Sequence, residues 1–357
     1  MPLDEPHWWY GSDGKGDLAA RLLSPIGLLY GFLAEQRYRR HAPYRARVPV
    51  ICVGNFTAGG TGKTPLSLLI AEHVRSRGSS PVFLTRGYAG RITAPAWVDR
   101  AAHSGRDVGD EALLLARMAP TMIARDRRAG ALMIEDEGPP ACVIVMDDGL
   151  QNPSLKKDLA IAVVDGARGI GNGEVIPAGP LRAPLEFQLG LVDCIVVNEA
   201  HEGRGAGQNA VLDRLRRRFP GPVLAARVEP LGDAGWLQGA PVVAYAGIAH
   251  PERFFGLLER LGARLELRAA FADHHAFAEA DAERLVRAAR ACGGVLVTTE
   301  KDLARLQGSS GRRGELSASS RALPIRLVLD DRDLGRLVAL INAAIKTGRG
   351  GRGVPQR

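Results

Sequence analysis

Cysteine and aromatic residues are scarce in this chain, and each scarcity closes off a class of protein. The four cysteines, Cys52, Cys142, Cys194 and Cys292, stand far apart and form no CxxC pair. A disulfide framework or a cysteine metal site is therefore not expected. Three of them sit in apolar runs (ICVGN, ACVIV, DCIVV), where a small thiol is a core residue, and a reducing compartment suits them. Aromatics are only 5% of the residues. With few rings to stack bases and no recognisable motif, nucleic acid is not expected as a partner, although the net charge is +8. No run reaches the about 18 apolar residues that read as a membrane-spanning helix.

What is present is the balance of a soluble globular protein, 24% charged and 46% hydrophobic over 357 residues. At about 100–200 residues per domain, two domains are expected. The positive charge gathers in two places. One is the C-terminal stretch KTGRGGRGVPQR from Lys346 to Arg357, with no acidic residue and much glycine, which reads as a flexible tail. The other is the cluster Arg37, Arg39, Arg40, Arg45 and Arg47, which follows the apolar stretch Leu22–Ala34. As a helix that stretch would span about 20 Å, too short for a hydrocarbon core of about 30 Å. Asp4 and Glu5 precede it and no small-residue cleavage pattern follows, which disfavours a signal peptide. It reads either as a helix packed on the core or as an anchor lying in the membrane interface.

From residue 48 a strand–helix alternation sets in. Apolar, β-branched runs recur at Val48–Val53, Val82–Thr85, Thr121–Ala124, Cys142–Met146, Leu159–Val164 and Cys194–Val197, with helical patterns at Leu66–Arg77 and Glu111–Met118. That predicts an α/β fold, a parallel sheet with helices on both faces. Pro222–Val228 and Trp236–Tyr245 flank the turn LGDAG and are expected to form a hairpin linker. A smaller α/β lobe follows, with strands at Val242–Ala246, Val295–Thr298 and Ile325–Leu329 and a helix through Phe254–Leu261.

The strongest chemical signal is VICVGNFTAGGTGKTPLSLLIAEHV. A buried strand runs into a glycine-rich turn, and Gly62-Lys63-Thr64 opens a helix. Glycines let backbone N–H groups curl around phosphate oxygens, and the helix N-terminus adds positive potential. Thr57, Ala58, Gly59, Gly60, Thr61, Gly62, Lys63 and Thr64 are thus the candidate nucleotide-binding residues, although Thr57 stands where G-x4-G-K-[ST] begins with glycine. Lys63 can reach the β- and γ-phosphates, and the Thr64 hydroxyl can ligate Mg²⁺. Asp147 and Asp148 end an apolar run, where a carboxylate is the usual metal partner; a solvated strand-end pair is the plainer alternative. A GTPase is disfavoured because Val197-Asn198-Glu199-Ala200 does not supply Asn-Lys-x-Asp, and a partitioning ATPase because Ala58 stands in place of a second lysine.

The segments GNFTAGGTGKTP (54–65), RGY (86–88), GDE (109–111), DDGLQ (147–151), RGIGNGEVIPAGPLR (168–182), DHH (273–275) and TTEKD (298–302) occur in that order. In this sequence of motifs the chain resembles the tetraacyldisaccharide 4'-kinase family over nearly its whole length. The resemblance implies a phosphate-loop kinase that transfers the γ-phosphate of ATP, with Mg²⁺, to the 4'-hydroxyl of tetraacyldisaccharide 1-phosphate, giving lipid IVA in lipid A synthesis. It also implies a peripheral, monotopic protein at the cytoplasmic face of the bacterial inner membrane, and a monomer is expected. On the residues matching the family's motifs, Asp110 is the base and His274 its partner, with Lys63 on the phosphates. Arg86, Glu111, Gln151, Asn172 and Arg182 are the implied substrate-binding residues.

Plainer readings stand beside these. Asp110 could cap the helix that starts near Glu111, His274 could be a loop histidine, Arg86 a surface ion-pair partner, and Asn172 a turn former. Leu150 and Asn152 replace the family's usual aromatic and histidine, and Ala183 its acidic residue. The implied organisation is a membrane-associating segment over 1–47, the kinase domain over 48–221, the hairpin linker over 222–240, the smaller domain over 241–345 and the tail over 346–357. The competing function is a membrane-associated ATPase or GTPase switch that has no lipid acceptor.

Overall fold

The computed structural model describes residues 5–11, 18–199 and 206–350. The chain enters through helix α1 (Leu18–Arg40) and then alternates: β1 (Val50–Gly54), α2 (Lys63–Ser76), β2 (Ser80–Thr85), β3 (Ala96–Trp97), α3 (Gly105–Val108), α4 (Asp110–Leu115), β4 (Thr121–Ile123), α5 (Arg127–Glu137), β5 (Cys142–Asp147), β6 (Leu159–Asp165), α6 (Leu185–Leu189), β7 (Cys194–Glu199), α7 (Ala206–Arg218) and β8 (Val223–Pro230). Then follow β9 (Pro241–Ala246), α8 (Pro251–Arg260), β10 (Arg264–Ala270), α9 (Glu279–Cys292), β11 (Val295–Thr298), α10 (Glu300–Leu306), α11 (Gly311–Ser319), β12 (Ser320–Ala322), β13 (Ile325–Leu329) and α12 (Asp331–Gly350).

Nine strands form one sheet in the order β13-β8-β7-β6-β1-β5-β2-β4-β3. It is parallel from β8 to β4 and antiparallel at both edges. Alternate residues of β1 go to opposite faces, as the period of two requires. Val50 and Cys52 join a core with α5, α6 and α7, whereas Ile51 and Val53 join one with α2 and α12. Burial on both faces is why these strands are continuous apolar runs. A second sheet, β10-β9-β11-β12, is parallel throughout, with α8 and α9 covering its two faces. Cys52, Cys142 and Cys194 are buried and unbridged, and burial pushes the Cys52 thiol up to about 11.

The structure corrects the expected linker and the last boundaries. Pro222–Val228 does not pair with Trp236–Tyr245. A two-stranded antiparallel connection does exist, but the partner of β8 is β13, with Leu327 opposite Val228. The chain thus leaves the large sheet along β8, builds the smaller lobe and comes back along β13, so Ile325–Leu329 belongs to the large sheet. Helix α12 then seats Leu337, Ile341, Ala344 and Ile345 in the core behind β1. That burial carries the helix through 346–350, where a flexible tail was expected; 351–357 lie outside the described residues.

Helix α1 is also longer than the apolar stretch that announces it. Its 23 residues are long and apolar enough, by length and composition, to cross a membrane. One side is nevertheless docked on the large lobe. A Cβ on Gly27 would lie 2.6 Å from the Val175 carbonyl oxygen and one on Gly31 3.0 Å from Pro184, so only glycine allows this approach. The opposite side exposes Leu18, Leu22, Ile26, Leu29 and Leu33, with Phe32 beside them.

Candidate functional site

The glycine-rich turn leaves β1 at Gly54 and is braced by the segment 168–182. Ala58 N donates to the Pro180 carbonyl oxygen (2.8 Å), Arg182 N to that of Phe56 (2.9 Å) and Arg182 Nε to that of Thr57 (3.1 Å). Thr57, in the position usually glycine, is buried and hydrogen-bonds Tyr10. Gly62 caps α2 with φ 88°, and a Cβ there would lie 2.5 Å from Asn198 Nδ2; that side chain also donates to the Thr61 carbonyl oxygen (3.4 Å). The loop therefore holds a left-handed turn at the start of a 14-residue helix, whose N-terminus carries positive potential.

Asp147 and Asp148 close the site from β5. Asp147 is fully buried; its Oδ1 accepts from Ser67 Oγ (2.8 Å), while Oδ2 is buried with no hydrogen-bond partner. Burial, helped by Glu111, pushes its carboxyl up to about 6. Asp148 takes φ 50° and turns to cations, Arg182 Nη1 at 2.8 Å and Lys63 Nζ at 3.8 Å. Burial works to raise the Asp148 carboxyl, but Lys63 and Arg182 outweigh it and hold the group well below the usual range.

This donor set suits Mg²⁺. A buried carboxylate oxygen without a partner and the buried Thr64 hydroxyl at the head of α2 are hard oxygen ligands for a cation that also takes phosphate oxygens. Asp148 is engaged by its two cations. Among the described residues no three His, Cys, Asp or Glu side chains converge on a metal position.

The smaller lobe faces this loop. Ala249 Cβ lies 3.3 Å from where a Cβ on Gly60 would stand. Beside it a cleft of about 390 Å³ is lined by Arg168, Ala249, His250, Pro251, Glu252 and Arg253. Arg253 pairs with Asp165 at the end of β6, and His250 lies 2.7 Å from Arg168 Nη1. Burial, with Arg168, lowers the His250 imidazole to about 4.

Asp110 is the first residue of α4. The cap position belongs to Gly109, with φ 87°, and the Asp110 carboxylate crosses to the other lobe instead of capping. Its Oδ2 meets His274 Nδ1 at 3.4 Å and accepts from Arg305 Nε. Burial raises its pKa, but the His274 hydrogen bond and the Arg305 charge outweigh that and hold it below the usual carboxylate value. His274 has φ 59°, donates its backbone N–H to the Gly247 carbonyl oxygen (3.1 Å) and packs against Tyr88. The neighbouring His275 instead pairs with Asp281 at 2.9 Å and stacks on Phe271, a packing role.

Of the residues named for substrate, Glu111 lies 2.5 Å from Lys301 Nζ, Arg182 holds Asp148, and Arg86 is exposed at the end of β2. Gln151 and Asn172 are each held by hydrogen bonds within the protein. Gln151 donates to the Asn55 carbonyl oxygen and to Gln188 (both 2.7 Å). Asn172 donates to the Trp8 and Ala178 carbonyl oxygens and accepts from Glu174 N. Sequence reasoning passed over Ser67, one turn beyond Thr64, and Arg305, whose only signal is its place one helical turn beyond Lys301.

A family model described as "Tetraacyldisaccharide-1-P 4'-kinase" matches residues 19–344. Curated relatives named tetraacyldisaccharide 4'-kinase are similar along almost the whole chain. That of Parvibaculum lavamentivorans is 44% identical over 350 residues, covering 97% of this chain and 99% of the relative. That of Methylobacterium radiotolerans is 47% identical over 326 residues, covering 91% and 94%. Among solved structures, LpxK from Aquifex aeolicus in complex with ATP aligns with TM-score 0.71 at 23% identity, covering 92% of this chain and all of that one, which shows a shared fold.

Proposed function

The chain belongs to the tetraacyldisaccharide-1-P 4'-kinase family, and from that premise we propose which of its residues perform the transfer and where it works. The enzyme transfers the γ-phosphate of ATP to the 4'-hydroxyl of tetraacyldisaccharide 1-phosphate. The loop amides beyond Ala58, whose own N–H is held by the Pro180 carbonyl oxygen, bind the phosphates together with Lys63, and Thr64 with Asp147 would hold Mg²⁺. When bound, that ion offsets charge on the phosphate oxygens. Asp148 fixes Lys63 and Arg182 in place.

Asp110 is the general base. It is ionised at neutral pH, it lies on the rim shared by the two lobes, and His274 orients it from the opposite lobe. It takes the proton of the 4'-hydroxyl as the oxygen attacks phosphorus. The observation that carries this reading is the Asp110–His274 contact, which assembles only when the lobes are together. Such an arrangement limits loss of phosphate to water.

The substrate is a lipid, and α1 gives the protein a way to meet it. Its exposed leucines and Phe32 enter the acyl boundary while Gly27 and Gly31 keep the helix docked, so it lies on the cytoplasmic face of the inner membrane rather than through it. Among the described residues Arg39 pairs with Glu35 and Arg47 with Glu135, while Arg37, Arg40 and Arg45 make no such pair there and are offered to headgroups or the 1-phosphate.

The test is transfer from γ-labelled ATP to the tetraacyldisaccharide 1-phosphate in micelles with Mg²⁺, comparing wild type with Asp110→Ala and Lys63→Ala. Labelled lipid that disappears in both variants is the expected result. ATP hydrolysis without labelled lipid would leave the switch reading in its place.

A further inference from the structure

The TTEKD motif (298–302) supplies none of the groups that bind ATP or take the proton, yet it is closely built. The Thr299 side chain caps α10 by accepting from Asp302 N (3.1 Å). Asp302, fully buried, accepts from Gly247 N (3.1 Å) and braces Arg305 Nη1 (2.5 Å). This frame fixes the rotation of α10, so that Lys301 leaves the smaller lobe toward the large one. Its ammonium lies 2.5 Å from Glu111 Oε1. Asp147 also acts on the ammonium, and Lys63 acts on Glu111. Burial disfavours the charge on Lys301, but Glu111 more than offsets this, so the group remains a cation.

An ion pair meant only to fasten the lobes has no need of this position. Arg117, just beyond the end of α4, and Glu300 of α10 lie 3.7 Å apart and already join the two lobes. Lys301 instead brings a positive charge from the second lobe to the carboxylates that surround the phosphate loop.

Building on the kinase reading, we propose that Lys301 is a catalytic cation that the smaller lobe delivers to the transferring phosphoryl group, with Glu111 as its cradle. In the transfer the 4'-oxygen bonds to the γ-phosphorus while the bond from phosphorus to the β,γ-bridging oxygen breaks. The electron pair of that bond leaves with ADP, and the hydroxyl proton passes to Asp110. Negative charge spreads over the three equatorial oxygens. Lys301 neutralises part of it, and does so only when the lobes meet.

The experiment compares wild type, Lys301→Met, Lys301→Arg and Glu111→Gln with Mg²⁺, the tetraacyldisaccharide 1-phosphate, and either ATP or ATPγS. Lys301→Met should lower kcat about 100-fold or more while the KM for ATP changes less than about threefold, the split expected when a contact is made in the transition state. Lys301→Arg should recover about tenfold of that loss, since it keeps the charge. Glu111→Gln should cost less than Lys301→Met, because the cation remains. The ATP-to-ATPγS rate ratio should fall in Lys301→Met, where the contact that sulfur disturbs is gone.

Equal losses in Lys301→Met and Glu111→Gln with an unchanged ratio would make the pair a fastener and overturn the proposal. So would a Lys301→Met enzyme with wild-type kcat. Equal binding of a fluorescent ATP analogue by all four proteins keeps folding out of the comparison. A wild-type enzyme that labels no disaccharide overturns the kinase reading itself, an outcome separate from either result for Lys301.

Discussion

Asp147 and Asp148 are adjacent in sequence and opposite in electrostatics. Asp147 ends β5 with one buried oxygen unpartnered and its carboxyl pushed up to about 6 by burial, whereas Asp148 turns away at φ 50° to Lys63 and Arg182, which hold it low. A raised carboxyl binds its proton more tightly in the folded than in the unfolded state. Stability from this group therefore falls as pH rises from the ordinary carboxylate value to about 6. Asp147→Asn should raise the melting temperature at pH 8 and lower transfer about 100-fold or more. Mg²⁺ should raise the melting temperature of wild type and not of the variant; an unchanged response to Mg²⁺ in the variant would remove Asp147 from the metal site.

Arg305 holds Asp110 ionised, together with His274, while the buried Asp302 faces the same group with like charge. A lowered carboxyl contributes stability that is present above its ordinary value and is lost as pH falls toward the folded value. Arg305→Met should therefore move the acidic limb of kcat/KM to higher pH, and Arg305→Lys should move it less. A profile that keeps its acidic limb in Arg305→Met, whatever the loss of rate, would show that Asp110 does not set it.

Gly109 places Asp110. Its φ is 87°, and a Cβ there would lie 2.3 Å from the Tyr88 carbonyl oxygen. Gly109→Ala is expected to cost about 1–3 kcal/mol in stability and to lower kcat more than the KM for ATP, because the loop at 57–64 is untouched. Denaturant unfolding and steady-state kinetics on the same sample check both.

Leu22, Leu29 and Phe32 are each more than half exposed on α1. Replacing all three by Glu should abolish co-sedimentation with anionic vesicles and leave ATP binding at the wild-type level. Vesicle binding that survives the triple change would move the contact to another surface.

The phosphate loop and its strand were legible because each element carries its own signature there: an apolar β-branched run, glycines at the turn, and Lys-Thr at the helix start. The central strands were found for the same reason. β10 was not, because it is an edge strand whose charged residues Arg264, Glu266 and Arg268 interrupt any apolar run. β13 was found as a strand but placed in the wrong sheet, since five apolar-rich residues do not say which edge they will join. At the site, Asp110 and His274 could be named from motifs. The contacts of Lys301 with Glu111 and Arg305 with Asp110 could not, because each joins residues nearly two hundred positions apart.

The return of the chain along β13 sets an order of assembly. The face of the large sheet behind β1 is completed by Leu337, Ile341 and Ile345 of α12, so the first lobe to be synthesised is the last to be finished. Until that helix is added the large lobe has an open apolar flank, whereas the smaller lobe, whose strands lie wholly between β8 and β13, has its whole sheet by residue 322. A chain truncated after residue 324 and released from the ribosome should therefore protect the smaller lobe from protease while the phosphate-binding lobe stays open to it.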